Sequence, residues 1–184
     1  MAHSWFGNLV TVSWWSDIGL DESFATFLSF LAMSRSPRLK HFSETCWITF
    51  LEYKFWGVLR DCLTSTHPIC CHVGDTKAAE GLYDGIAYGK GAAFVKQLYN
   101  IVGYEAMSQG LHNYFEKHSW GNTTLEDLVA SLAEAYESFG DKTFGEGFDL
   151  RVWCDKWLKT SGVNTLQPQV RVTDSGRLNE LIIR

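Results

Sequence analysis

At 184 residues the chain has room for one domain, or one and a fragment. Lys and Arg number 16 against 21 Asp and Glu, a formal net charge of −5, which argues against a nucleic-acid partner because phosphates ask for a basic face. With 8 Trp, 7 Tyr, 12 Phe and only 3 Pro, the composition excludes a disordered chain and fits a globular, mainly helical one.

In chain order, apolar residues at Phe24, Ala25, Phe27, Leu28, Phe30 and Leu31 predict a helix over 21–34 with a wide buried stripe and Asp21 as its N-cap. Ser36-Pro37 breaks it. A second helix is expected over 41–63, with Trp47, Leu51, Phe55, Val58 and Leu59 along one face. The stretch 64–84 is polar and irregular and reads as loop, with one helical turn near 77–81. Helices follow over 87–101, with Gly103 as C-cap, and over 104–117, closed by Gly121. Thr123 and Glu126 have capping-box spacing and open a helix to Phe139, which Gly140 stops. A shorter helix over 150–160 ends at Gly162.

After Pro168 the period changes: Val170 and Val172 alternate with polar residues, Asp174-Ser175-Gly176 makes a turn, and 178–183 is strand-like. A lone hairpin is marginal in water, so a second, β-rich domain is expected to begin at 167. The domain reading is therefore 1–166 helical and 167–184 the start of a β-domain, with a C-terminus that looks cut short.

The five cysteines (Cys46, Cys62, Cys70, Cys71, Cys154) are odd in number and have no C-x-x-C spacing, which suits free thiols in a reducing compartment. No basic leader opens the chain, and the longest apolar run, 24–33, is about half a bilayer span. A soluble, cytoplasmic protein without a membrane segment is the expectation.

Gly85, Gly89 and Lys90 imitate a phosphate loop, but three residues separate the glycines where four are needed, and Gly91 stands where a hydroxyl should be. His67, Cys70, Cys71 and His72 are soft ligands crowded into six positions, yet adjacent cysteines do not readily aim both sulfurs at one tetrahedral ion. Asn122-Thr123-Thr124 forms a glycosylation sequon that reads better as a helix start.

The first residues carry more. The run H-x-W-F-G-N-L-V-T, then W-W-x-D, then E-S-F-A, resembles the aminopeptidase N family of zinc metallopeptidases, above all its bacterial-type members. That family is marked by H-E-x-x-H, eighteen residues, then E; between His3 and Glu22 lie residues 4–21, which is eighteen. G-I-A-Y-G-K-G-A-A, Y-F-E-K-H-S-W-G-N-T-T-L-E-D-L and W-L-K-T-S-G-V-N-T-L also resemble the family, in order, so the likeness spans almost the whole chain.

The resemblance implies that His3 is the second histidine ligand, Glu22 the glutamate ligand of one Zn2+ ion, and Tyr88 the phenol that stabilises the oxyanion. It implies hydrolysis of the N-terminal residue of peptides with a free N-terminus through a zinc-activated water. The fold it implies is the helical half of a thermolysin-like catalytic domain passing into a β-sandwich. Met1 and Ala2 fill the two x positions of H-E-x-x-H, so the first histidine ligand and the general-base glutamate fall before residue 1. Met1 then reads as an internal methionine of a longer motif, and the 184 residues alone are expected to lack peptidase activity.

Gly19, where the family usually has Trp, predicts a lost packing contact beside the site; Asp21 stands where Asn is common. The Trp5, Phe6, Trp14 and Trp15 group reads as core around the site. Two rivals stand beside this reading: a non-catalytic helical protein binding peptides or partners, and a metal site built from the loop cysteines.

Overall fold

The computed structural model describes residues 1–43, 45–140, 145 and 147–184, so position 44 of the expected second helix lies outside the described residues. Among them run six α-helices: α1 (Ile18–Arg35), α2 (Thr45–Asp61), α3 (Thr76–Glu80), α4 (Gly91–His118), α5 (Leu125–Phe139) and α6 (Leu150–Leu158). Four short strands accompany them: β1 (Thr11–Val12), β2 (Asn122–Thr123), β3 (Pro168–Val172) and β4 (Leu178–Ile183).

The long helix α4 is the axis of the fold, packed by α1 on one side and by α5, with α6 beyond it, on the other. Phe24 and Phe27 of α1, Val95, Leu98 and Val102 of α4, Leu128 and Leu132 of α5 and Leu158 of α6 are almost completely buried in one core. At ~1.5–3 kcal/mol per fully buried side chain, this core drives assembly of the helical body. The two helices expected over 87–101 and 104–117 both lie within α4 and meet, as expected, at Gly103, whose non-helical backbone has a φ of +80° that side chains rarely adopt.

Three expectations need correction. Helix α1 starts three residues early, so Asp17, not Asp21, holds the cap position, and Asp21 lies buried in the first turn. The Asp17 carboxylate instead accepts the Leu125 N–H at 3.1 Å, joining the start of α1 to the start of α5. The capping box of α5 is one residue on: the Asp127 carboxylate accepts from the Thr124 N–H and hydroxyl, at 2.9 and 3.0 Å. Thr123 turns inward, its hydroxyl 2.6 Å from that of Tyr114.

The third correction concerns α2. The face predicted to be buried is open: Leu51, Phe55, Val58 and Leu59 are exposed, with Leu59 at 67 %, and Trp47 is half-buried. What α2 buries is Cys46, Phe50, Gly57 and Asp61. In the same way Trp5 and Trp14 are about half exposed, and of that aromatic group Phe6 alone is fully buried.

Strands β1 and β2 pair in parallel, Thr11 with Asn122 and Val12 with Thr123. Strands β3 and β4 form the expected antiparallel hairpin, with an irregularity at Arg171/Val172 and an Arg171–Glu180 ion pair at 2.8 Å. Its apolar residues Val170, Val172, Leu178, Leu181 and Ile183 are all exposed.

Candidate metal centre

His3 sits in a single 3-10 turn (Ala2–Ser4), and Glu22 in the second turn of α1. The strip between them has little regular structure and is fixed by distant partners. Leu9 C=O accepts from the Trp120 N–H at 2.7 Å, Thr11 and Ser13 N–H donate to Gly121 and Thr123 C=O, and the Trp14 indole donates to Val73 C=O at 2.7 Å. Phe6 stacks on Phe24 with ring centres 5.1 Å apart and meets Phe115 edge-on at 5.0 Å. This clamp carries His3 back over α1.

There the His3 Nε2 lies 3.4 Å from the Glu22 Oε2. The other ring nitrogen, Nδ1, lies 3.2 Å from the Phe6 carbonyl, which only accepts, so Nδ1 carries a proton and Nε2 is the nitrogen turned toward Glu22. Nε2 and the carboxylate then face each other, an arrangement satisfied by a proton or a cation between them. Zinc ligands at ~2.0–2.2 Å on a tetrahedral ion stand about 3.4 Å apart, so the pair fits one edge of a zinc site. The Nδ1–H to carbonyl bond is also the usual way a protein orients a histidine ligand.

Tyr88 lies in a widened helical turn (Ile86–Lys90) that leads into α4. A wide turn of this kind is often found at functional sites. The Asp84 carboxylate accepts the Ile86 N–H at 2.7 Å and its carbonyl accepts the Tyr88 N–H at 3.1 Å, so Asp84 anchors the turn. The Ser23 hydroxyl donates to Ala87 C=O at 2.8 Å, which sets Tyr88 in register with Glu22. The Tyr88 ring stacks on Trp56 at 6.0 Å and 15°, and its hydroxyl faces the Glu22 carboxylate closely enough to feel it. Burial, then the neighbouring Glu22 carboxylate, hold the phenol well above its ordinary range, so it stays protonated at neutral pH.

Trp56, Asp21 and Tyr83 carry no sequence signal of a role here, yet they adjoin the site. Burial raises the Asp21 carboxyl to about 6, opposed by the Val12 N–H it accepts and helped by Glu22. Burial and the Glu22 and Asp21 charges also raise the Tyr83 phenol. The gap expected at Gly19 does not exist: a Cβ there would lie 2.7 Å from the Ile69 carbonyl and side chain.

The loop ligands do not converge. His67 faces Asp84 at 3.5 Å, Cys70 is buried with its N–H on Leu158 C=O, and His72 is exposed. Among the described residues no group of three or more His, Cys, Asp or Glu could hold a metal, so His3 and Glu22 stand as a pair. The glycines that imitate a phosphate loop serve packing. Cβ atoms on Gly57, Gly85 and Gly89 would lie 2.4, 2.7 and 2.1 Å from backbone atoms across the α2 contact.

Residues 1–162 match the Peptidase family M1 domain. Aminopeptidase N of Streptomyces lividans is 39% identical over 185 residues, covering 100% of this chain and 20% of that protein. Leucyl aminopeptidase of Saccharolobus solfataricus is 35% identical over 187 residues, and Tricorn protease-interacting factor F2 of Thermoplasma acidophilum 34% over 178; each alignment covers 96% of this chain and 20% of the relative. The chain belongs to peptidase family M1, and its helices are the helical part of that family's domain. It spans about a fifth of the length of the curated relatives it matches. No described helix is long and apolar enough to cross a membrane.

Proposed function

We propose that this chain carries part of the site of a zinc aminopeptidase acting on peptides with a free N-terminus. His3 and Glu22 are two ligands of one zinc ion, and Tyr88 is the oxyanion donor. The observation that carries the reading is the 3.4 Å approach of the His3 Nε2 to the Glu22 carboxylate, with the Tyr88 phenol beside the same carboxylate. When bound, zinc supplies Lewis acidity toward water and a carbonyl oxygen.

The chain's own residues supply the rest. Glu22 is 13 % exposed and held by α1, so little ordering is left to lose on binding. The Tyr88 phenol keeps its proton and can turn it from Glu22 to an oxygen that gains negative charge. Trp56 fixes the plane of the ring through which that proton is offered.

The first histidine and glutamate of H-E-x-x-H are not among these 184 residues. Turnover therefore belongs to a polypeptide that provides them, and residues 1–184 alone hold the ion with two side chains and lack a base. In the same reading, 1–166 is catalytic domain and 167–184 opens a β-sandwich, which accords with the family match ending at 162 and the exposed hairpin.

The test is zinc retention by the folded chain against a graded chelator series, beside His3→Ala, Glu22→Ala and Tyr88→Phe. Retention that falls with either ligand variant and holds with Tyr88→Phe supports the site. A folded chain that ignores zinc supports the non-catalytic, partner-binding alternative instead.

A further inference from the structure

The turn that bears Tyr88 rests on α2 through Gly57, Gly85 and Gly89, backbone against backbone. Such a contact is close but smooth. At the glycines themselves only backbone meets backbone, so sliding along the α2 axis is resisted by what flanks them, the Trp56–Tyr88 stack and the Arg60 side chain against Gly85 among them. Two ion pairs cross it: Arg60 of α2 meets Asp84 at 3.1 Å ahead of the turn, and a more deeply buried pair closes its far end.

Lys90, two residues after Tyr88, places its Nζ 2.9 Å from the Asp61 carboxylate at the end of α2. Both partners are withdrawn from water, with side chains 12 % and 2 % exposed. Asp61 also accepts from the Thr66 hydroxyl at 2.6 Å and the Gly162 N–H at 2.8 Å, while the Lys90 Nζ donates to Thr160 C=O at 3.0 Å. A buried pair with its remaining valences satisfied is weak evidence for stability, because apolar replacements often do as well. What such a pair does well is fix register. Here the register in question is that of the Tyr88 turn against α2, on which Trp56 is mounted.

We propose that Lys90, through its ion pair with Asp61, is a positioning residue for Tyr88. It stops the turn from sliding along the glycine contact and so keeps the phenol over Glu22. The proposal builds on the reading of Tyr88 as oxyanion donor.

The whole 184-residue chain labelled with 3-fluorotyrosine reads this directly by 19F NMR, with Tyr88→Phe assigning the Tyr88 resonance. Two variants are compared: Lys90→Met, and Asp61→Asn with Lys90→Met, which leaves no uncompensated charge at position 61. The expected result is displacement or loss of the Tyr88 resonance in both, with the resonances of Tyr114 and Tyr136 unmoved. A Tyr88 resonance unchanged in the folded double variant overturns the proposal. So does collapse of all tyrosine resonances together in the double variant, which makes the pair a support of the fold and nothing more specific.

The signal needs neither metal nor turnover. If Tyr88 moves while the wild-type chain fails to retain zinc, the positioning role stands and the metal reading falls. If zinc is retained and Tyr88 does not move, the metal reading stands and the positioning role falls.

Discussion

Replacing Gly89 by alanine tests the contact between α2 and the Tyr88 turn. The added methyl would sit 2.1 Å from the Tyr53 carbonyl oxygen, 2.8 Å from Gly57 N and 3.0 Å from Gly57 Cα. Real Cβ atoms stay beyond about 3.0 Å, so α2 and the turn must part by about 1 Å. All three obstacles are backbone and none can rotate aside. Overpacking of this kind costs ~1–3 kcal/mol, while alanine in a helical turn returns up to ~1 kcal/mol. The net expectation is a loss of about 1–2 kcal/mol, which at an m-value of ~2–3 kcal/mol/M lowers the urea midpoint by roughly 0.4–0.8 M. Gly74→Ala is the control, since a Cβ there meets nothing within 4 Å. Intrinsic tryptophan fluorescence follows both transitions, and Trp56 should report the loosened stack before global unfolding. A Gly89→Ala midpoint equal to that of Gly74→Ala would refute the close approach.

Further expectations concern buried titratable groups. Burial raises the Tyr114 phenol to about 12, against about 10 in an unfolded chain. Its contribution is complete below pH 10 and falls away as pH rises toward 12, because the unfolded chain sheds the proton first. Tyr114→Phe should therefore cost ~1 kcal/mol at pH 7.5, from the lost bond to Thr123, and this deficit should close by about pH 11. Guanidinium titrations at the two pH values check this; a deficit that persists at pH 11 contradicts the burial of the phenol. Thiol labelling of the native chain should modify exposed Cys62 first and half-buried Cys71 slowly. Buried Cys46, Cys70 and Cys154 should stay silent until denaturant is added, with the Cys154 thiol raised to about 12. A third thiol that reacts in the native chain would contradict the core described.

Helices α1, α5 and α6 are legible in the sequence because their apolar residues recur with the period of one buried face, and the hairpin is legible through two-residue alternation around the Asp174-Ser175-Gly176 turn, although most of its residues stay exposed. Helix α2 misleads for a physical reason: periodicity shows that a face is apolar, not that another element covers it. The face holding Phe55 and Leu59 is apolar and uncovered, while Gly57 and Asp61, which carry no apolar signal, point inward. The α5 cap slips by one residue because Asn122-Thr123-Thr124 and Glu126-Asp127 allow two registers of the same motif. Only the buried hydroxyl contact to Tyr114 separates them. The His3–Glu22 pair is legible through its eighteen-residue spacing, but Trp56 is not, since its stack on Tyr88 spans a loop no local pattern encodes. Gly85 and Gly89 are visible as unusual, and their use becomes clear only with α2 in place.

The strip joining the two candidate ligands has a consequence for how the protein is made. Its fastenings are remote: Asp17 holds Leu125 across 108 positions, and Thr11 pairs with Asn122. Contacts of such long range form late, because loop closure must precede their reward. On a ribosome adding ~5–20 residues per second, residue 125 follows residue 17 by roughly 5–20 s. During that interval His3 and Glu22 are both synthesised but not yet opposed. The His3–Glu22 approach is thus a product of the closing stage of folding, and a defect in α5 should be felt first at the opposite end of the chain, around His3.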